Sequence, residues 1–222
     1  MKRFPNNKKI EKNKILNFYF DGKKYQGYEG DTLASALLAN NIHLVGRSFK
    51  YHRPRGIVSA GSEEPNGIVQ LETKEYTEPN RRVTEIQLYE GLKAFSQNNW
   101  PSINFDFGAI NDLLSPFFPA GFYYKTFMWP KSFWYRIYEP FIRKAAGLGV
   151  ASTKHDNERY EHKYEYCDLL IAGSGPSGLA SAYAAAKNGA RVILAEDKPR
   201  FGGTLLTSEV NIGNQSGEDW AN

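Results

Sequence analysis

The 222-residue chain has one cysteine, and that scarcity excludes more than any other count. Cys167 alone cannot close an internal disulfide, build a cysteine-rich zinc site or hold an iron–sulfur cluster, which takes thiolates in number. Redox chemistry must then come from an organic cofactor or from another chain. Long apolar runs are missing too: nowhere do about 18 apolar residues follow one another, which argues against a membrane span. Nor is there a large excess of one charge, with 28 Lys+Arg against 24 Asp+Glu. The basic opening (Lys2, Arg3, Lys8, Lys9, Lys12, Lys14) has no apolar stretch behind it and is not a secretory signal. A cytoplasmic, reducing setting fits these absences.

Hydrophobic residues at 41% and charged residues at 23% are ordinary for a globular chain, and the length allows one large domain or two small ones. Aromatics are plentiful, with 14 Phe, 14 Tyr and 4 Trp, which points to a partner-facing surface. Charge is uneven along the chain: residues 1–60 carry 12 basic and 4 acidic side chains, residues 61–222 carry 16 and 20.

Ile15–Phe20, Asp21-Gly22 and Tyr25–Tyr28 read as strand, hairpin turn and strand. Gly30-Asp31-Thr32 supplies a stop and an N-cap carboxylate ahead of Leu33–Ala39, whose apolar residues repeat at helical spacing. A basic loop interleaved with aromatics, Arg47 to Gly56, precedes two further expected strands, Ile68–Leu71 and Val83–Leu88. Hairpin, helix and later strands describe a β-grasp domain. From Phe95 to Tyr138 aromatics alternate with Pro101, Pro116, Pro119 and Pro130, which forbid a long helix or a central strand. This stretch is either a wrapped connector with its own small aromatic core or an arm packed on another domain or subunit. An amphipathic stretch, Ile142–Leu148, and a charged linker, Lys154–Lys163, follow.

Tyr166–Ala172 is the near-continuous apolar run of a strand buried on both faces of a parallel sheet. Gly173-Ser174-Gly175-Pro176-Ser177-Gly178 stands directly after it, then an alanine-rich helix from Leu179 to Asn188, then a second buried strand, Arg191–Glu196. GxGxxG between strand and helix, with a carboxylate 18 positions after Gly178, is the context that a dinucleotide-binding fingerprint requires. Gly173 allows the tight turn, Gly175 lets the backbone approach a pyrophosphate, and Gly178 lets the helix pack close to the strand. The helix N-terminus offers amides and a positive dipole end to the phosphates. Glu196, with Asp197 beside it, is placed for the adenosine ribose hydroxyls, and its charge repels a 2′-phosphate, so NAD or FAD is favoured over NADP. Gly202, Gly203 and Thr204 form a second glycine loop placed to pass close to ribose and pyrophosphate, a pairing typical of flavoproteins. These residues leave NAD and FAD both open.

Several ungeneric strings go further. Gly46–Gly56, Glu64-Pro-Asn66, Ala120–Pro130, Tyr138-Glu-Pro140, Ala145–Gly149 and the dinucleotide motif together resemble the α subunits of heterotetrameric, tetrahydrofolate-dependent sarcosine oxidases, over nearly the whole chain. The resemblance implies oxidative demethylation of sarcosine to glycine, with tetrahydrofolate taking the one-carbon unit and O2 giving hydrogen peroxide. It implies NAD at Gly173, Gly175, Gly178 and Glu196, FAD on a β subunit, covalent FMN at the α/β interface, and γ and δ subunits as further partners. The first domain also resembles the ferredoxin-type domain of related amine and opine dehydrogenases, whose C-x4-C-x2-C loop holds a [2Fe–2S] cluster. Laid on this chain, that spacing puts Val58, Glu63 and Asn66 at the cysteine positions.

The expected architecture is therefore α+β followed by α/β: a cluster-free β-grasp domain over 1–92, an aromatic connector over 93–163, and over 164–222 an incomplete Rossmann-type domain. Only 57 residues, Tyr166 to Asn222, remain for a fold that needs two mononucleotide-binding halves, so the chain reads as a truncation. A fragment of another flavin-dependent amine or opine dehydrogenase subunit, or a non-catalytic partner-binding adaptor, are the alternatives. The Arg47–Arg55 loop is assigned a structural or subunit-docking role rather than nucleic-acid binding. His155 and His162 near Asp156, Glu158 and Glu161 read as solvated linker side chains, not metal ligands, and Cys167 as a packed thiol. No catalytic residue is assigned.

Overall fold

The computed structural model describes residues 10–117, 121, 127–147 and 149–222. Phe118, Pro119, Phe122, Tyr123 and Tyr124 of the aromatic stretch, Leu148, and Lys2 to Lys9 of the basic opening lie outside them. Contacts divide the chain into two units, Met1–Ser59 with Glu64–Asn157, and Ala60–Glu63 with Glu158–Asn222.

In the first unit, β1 (Glu11–Phe20) and β2 (Lys23–Glu29) pair antiparallel around Asp21-Gly22, with Phe20 opposite Lys23. Both turn residues take positive φ, 47° and 77°, the geometry that matches the twist of the flanking strands. Alternation along β1 sends Leu16, Phe18 and Phe20 inward. The helix α1 (Leu33–Ala39) buries Leu33, Ala34, Ala36, Leu37 and Ala39 on that face. Its N-cap is Thr32, a correction to the expected Asp31: Thr32 Oγ1 accepts from the Ser35 amide and Ser35 Oγ from the Thr32 amide. Asp31 is buried one residue earlier, accepting from the Tyr28 amide at 2.8 Å and the Ser35 hydroxyl at 2.6 Å. It therefore fixes the turn that enters the helix. α1 lies so close to β2 that a Cβ on Gly27 would stand 3.2 Å from the Ala36 Cβ.

β3 (Gly46–Arg47) and β4 (Pro54–Arg55) close a small hairpin around the basic loop. Arg47 serves structure here: its guanidinium donates twice to the Ile103 carbonyl, at 3.0 and 2.6 Å, and once to that of His52. β5 (Ile68–Leu71), β6 (Glu78–Arg82) and β7 (Lys93–Ser96) complete a five-stranded sheet in the order β2-β1-β7-β5-β6. β1 runs parallel to β7 and the other neighbours are antiparallel, the β-grasp arrangement.

Val83–Leu88 is not the expected strand. It forms a turn and then a single bridge from Gln87 to Thr32. Val83, Ile86 and Leu88 are all buried, a spacing that one strand face cannot present, and the Ile86 and Val83 carbonyls instead accept the Leu33 and Ala34 amides at 2.8 and 2.9 Å. The sheet takes Glu78–Arg82 and Lys93–Ser96 in its place, so its central strand lies beyond residue 92.

The next stretch is broken into short turns, among them α2 (Ile110–Leu113), until a π-helical segment, Trp134–Tyr138, runs directly into α3 (Glu139–Ala146), with Pro140 in its first turn. Phe107 lies 5.1 Å from both Trp100 and Phe105, centroid to centroid, yet Trp100 is 68% and Phe105 62% exposed. A self-contained aromatic core is thus not formed among the described residues.

In the second unit, β8 (Leu169–Ala172) and β9 (Val192–Ala195) pair in parallel, with α4 (Pro176–Lys187) between them in sequence. Burial on both faces was expected for these strands and is not found: no residue of either is buried, and Leu170 is 64% exposed. Two strands with one helix hold too little structure to cover both faces. Cys167 stands half-buried just before β8, not packed within a buried strand. β10 (Asn211–Ile212), β11 (Gln215–Ser216) and α5 (Gly217–Ala221) follow. No helix among the described residues is long and apolar enough to cross a membrane.

Leu37 is fully buried in the cluster between α1 and the sheet. Leu37→Ala should lower the unfolding free energy of the chain by about 2–5 kcal/mol, read as a lower urea midpoint at unchanged slope. A loss under about 1 kcal/mol would contradict this packing.

Candidate dinucleotide-binding site

The end of β8 turns at Gly173, whose φ of +94° suits glycine, and whose amide donates to the Ala195 carbonyl at 2.7 Å. That bond ties the glycine loop to the end of β9. Gly175 is the N-cap of α4 and Pro176 opens the helix, a position where proline costs no hydrogen bond. No side chain caps this terminus, so its first-turn amides are available to an anion. A Cβ on Gly175 would meet nothing within 4 Å, whereas one on Gly178 would overlap the Gly173 carbonyl oxygen. The third glycine is therefore a packing requirement and the second an open face of backbone.

Glu196 follows β9 immediately and reaches back across the loop. Its Oε2 accepts from the Ser174 amide at 2.7 Å and from the Ser174 hydroxyl, while Oε1 accepts from the Asp197 and Lys198 amides, both at 3.1 Å. The four acceptor positions of the carboxylate are thus filled by the protein. The Ser174 hydroxyl, and next its amide, outweigh a smaller opposing effect of burial and hold the carboxyl down to about 2. Ser174 itself is fully buried. Asp197 contributes its amide to this cluster.

The second glycine loop joins the same place. The Gly202 amide donates to the Ser174 carbonyl at 3.0 Å, and a Cβ on Gly203 would lie 3.0 Å from the Gly175 Cα. Gly202 takes a φ of +118°, and Thr204 sits in the 3-10 turn Gly203–Leu206 that the loop starts. Gly173 to Gly178, Glu196, Asp197 and Gly202 to Thr204 therefore form one cluster. Sequence reasoning missed that Ser174 is the internal partner of Glu196; a serine in a glycine-rich loop carries no local signal of it.

Residues 168–215 match the family described as FAD dependent oxidoreductase, and residues 13–99 the family described as 2Fe-2S iron-sulfur cluster binding domain. The chain is 55% identical over 219 residues to sarcosine oxidase subunit alpha of Rhizobium meliloti (strain 1021), which covers 99% of this chain and 22% of that protein. It is similar throughout to the N-terminal portion of sarcosine oxidase α subunits. Sarcosine oxidase subunit alpha of Corynebacterium sp. (strain U-96) is 31% identical over 89% of this chain and 16% of its own length. Among solved structures, L-proline dehydrogenase from P. horikoshii aligns with a TM-score of 0.48 at 18% identity, over 94% of this chain and 30% of that one. The chain thus spans about a fifth of its first sarcosine oxidase relative. The ferredoxin-like segment does not fit the cluster that its family is described by: no cysteine lies within residues 13–99, and cluster irons are held by thiolates.

Two outcomes follow from the geometry. Gly178→Ala should force α4 off β8 and lower the melting temperature, while Gly175→Ala should leave stability within about 0.5 kcal/mol. Because the Glu196 carboxyl is depressed in the folded state, its stabilising contribution is present in full above the ordinary range near 4.5 and is lost as pH falls toward about 2. Carboxyl-detected NMR titration should place its midpoint near 2, and a midpoint at the ordinary value would contradict the Ser174 bonds.

Proposed function

We propose that the chain is the N-terminal part of the α subunit of a sarcosine oxidase, an oxidoreductase acting on the CH–NH group of sarcosine within a complex. Identity of 55% along 99% of the chain supports this reading. Transfer of the one-carbon unit to tetrahydrofolate, reduction of O2 to hydrogen peroxide, FAD and FMN elsewhere in the complex, and partnership with β, γ and δ subunits rest on the same resemblance, and a cytoplasmic setting on the composition of the chain. The exposed aromatics of the connector support contact with those partners. The proposed division is a β-grasp scaffold, a connector to 163, and the start of a nucleotide domain from 164, with the expected scaffold boundary at 92 moved to beyond Ser96, where the central strand ends.

Within that assembly this portion holds NAD. The observation that carries the reading is the open backbone at Gly175 ahead of an uncapped helix N-terminus, with the Glu196 carboxylate at the end of the next strand. The Gly175 backbone and the first-turn amides of α4 receive the pyrophosphate. Glu196 receives an adenosine ribose hydroxyl in exchange for that of Ser174, and its negative charge disfavours a 2′-phosphate. Gly202, Gly203 and Thr204 border the same ligand. NAD, when bound, supplies a nicotinamide ring able to accept or give hydride, and no residue of this chain is assigned to that transfer. FAD at the same motif is the second reading, favoured by the match of residues 168–215 to FAD-dependent oxidoreductases.

The full-length subunit isolated with its partners should release NAD on denaturation. Gly175→Val should abolish that release while the complex still assembles. Recovery of FAD alone from the α subunit would replace NAD with the second reading, and recovery of no dinucleotide would overturn both.

A further inference from the structure

The loop that corresponds to a cluster loop, after β4, is organised around a buried acid. Glu64 is fully buried. Its Oε2 accepts from the amides of Val58 at 2.8 Å and Ser59 at 2.7 Å, and its Oε1 from those of Asn66 at 2.7 Å and Gly67 at 2.9 Å. Val58 and Asn66 are two of the three positions where the plant-type spacing would place cysteines, so the chain around those positions turns its amides onto this one side chain. A buried carboxylate is costly unless every acceptor site is satisfied, and four main-chain donors satisfy all of them. Burial acts to raise the Glu64 carboxyl, but the amides of Ser59, Asn66, Val58 and Gly67 outweigh it and hold the group below its ordinary range. The same loop is locked to the core: a Cβ on Gly67 would stand 2.7 Å from the Val83 side chain, and the Gly67 carbonyl accepts the Val83 amide at 2.9 Å.

We propose that the Glu64 carboxylate replaces the [2Fe–2S] cluster as the anion around which the 58–67 loop folds. A cluster is also an anionic centre, and hydrogen bonds to its sulfurs are among the interactions that tune it. Here one acid side chain offers a negative centre without metal, and the domain keeps the ferredoxin-like scaffold while carrying no electrons. Glu64 is a positioning residue for the loop, independent of what the nucleotide motif binds.

The test is amide hydrogen exchange on the 222-residue chain. In Glu64→Gln the side-chain NH2 faces two amide donors, and the amides of Val58, Ser59, Asn66 and Gly67 should exchange about tenfold faster or more, with the β1–β2 hairpin amides unchanged. Equal protection of the four amides in Glu64→Gln and wild type would overturn the proposal. Should that variant fail to fold, the wild-type Glu64 side-chain carboxyl, followed by NMR, should remain ionised below pH 4.5. Protonation at or above that pH, or stoichiometric iron and acid-labile sulfide in the purified chain, would equally overturn it.

Discussion

The parallel contact between β1 and β7 is what joins the first unit. β1 belongs to a local hairpin that forms from neighbouring residues, whereas β7 arrives some seventy residues later, and only their pairing brings the two halves of the sheet together. The Tyr19 amide donates to the Leu92 carbonyl at 2.7 Å and the Asp21 amide to that of Ala94 at 3.0 Å. Asp21 then receives both the amide and the hydroxyl of Ser96, each at 2.7 Å, so the hairpin turn itself grips the far strand. The face on which α1 packs, and with it the position of the Glu64 loop, depends on that long-range closure.

Two carboxylates organise the two units by the same physics at different depths. Glu64 and Glu196 each gather four donors from the surrounding chain, and both are held more acidic than usual. Glu64 is sealed, with main-chain donors that cannot turn away, and is therefore structural. Glu196 is partly exposed, and one of its four donors is a side-chain hydroxyl, that of Ser174, in place of a main-chain amide. The kind of donor, more than the charge, separates the two: four main-chain amides around Glu64, three and a hydroxyl around Glu196.

Features set by neighbouring residues were legible in the sequence. Asp21-Gly22 fixed the hairpin because the positive φ values it needs are a property of those two residues. The Gly173–Gly178 spacing located strand, loop and helix because each glycine answers a local steric demand. Legibility failed where the deciding partners, near or far, carry no sequence pattern of their own. Asp31 and Thr32 are both good caps, and the bonds of Asp31 to Tyr28 and Ser35 settle which of them heads the helix. Val83–Leu88 has strand-like composition but is drawn into capping α1. The Glu64 loop was invisible because its donors are backbone amides, which every residue has and no side-chain pattern marks.

The contact between the two glycine loops has a thermodynamic meaning. With Gly202 bonded to Ser174 and Gly203 set against Gly175, the two loops are already in contact in the free chain, and the entropy of ordering one against the other is met during folding. On the proposed reading, a dinucleotide would meet two loops already held against each other, so no part of its binding energy would go into ordering one against the other.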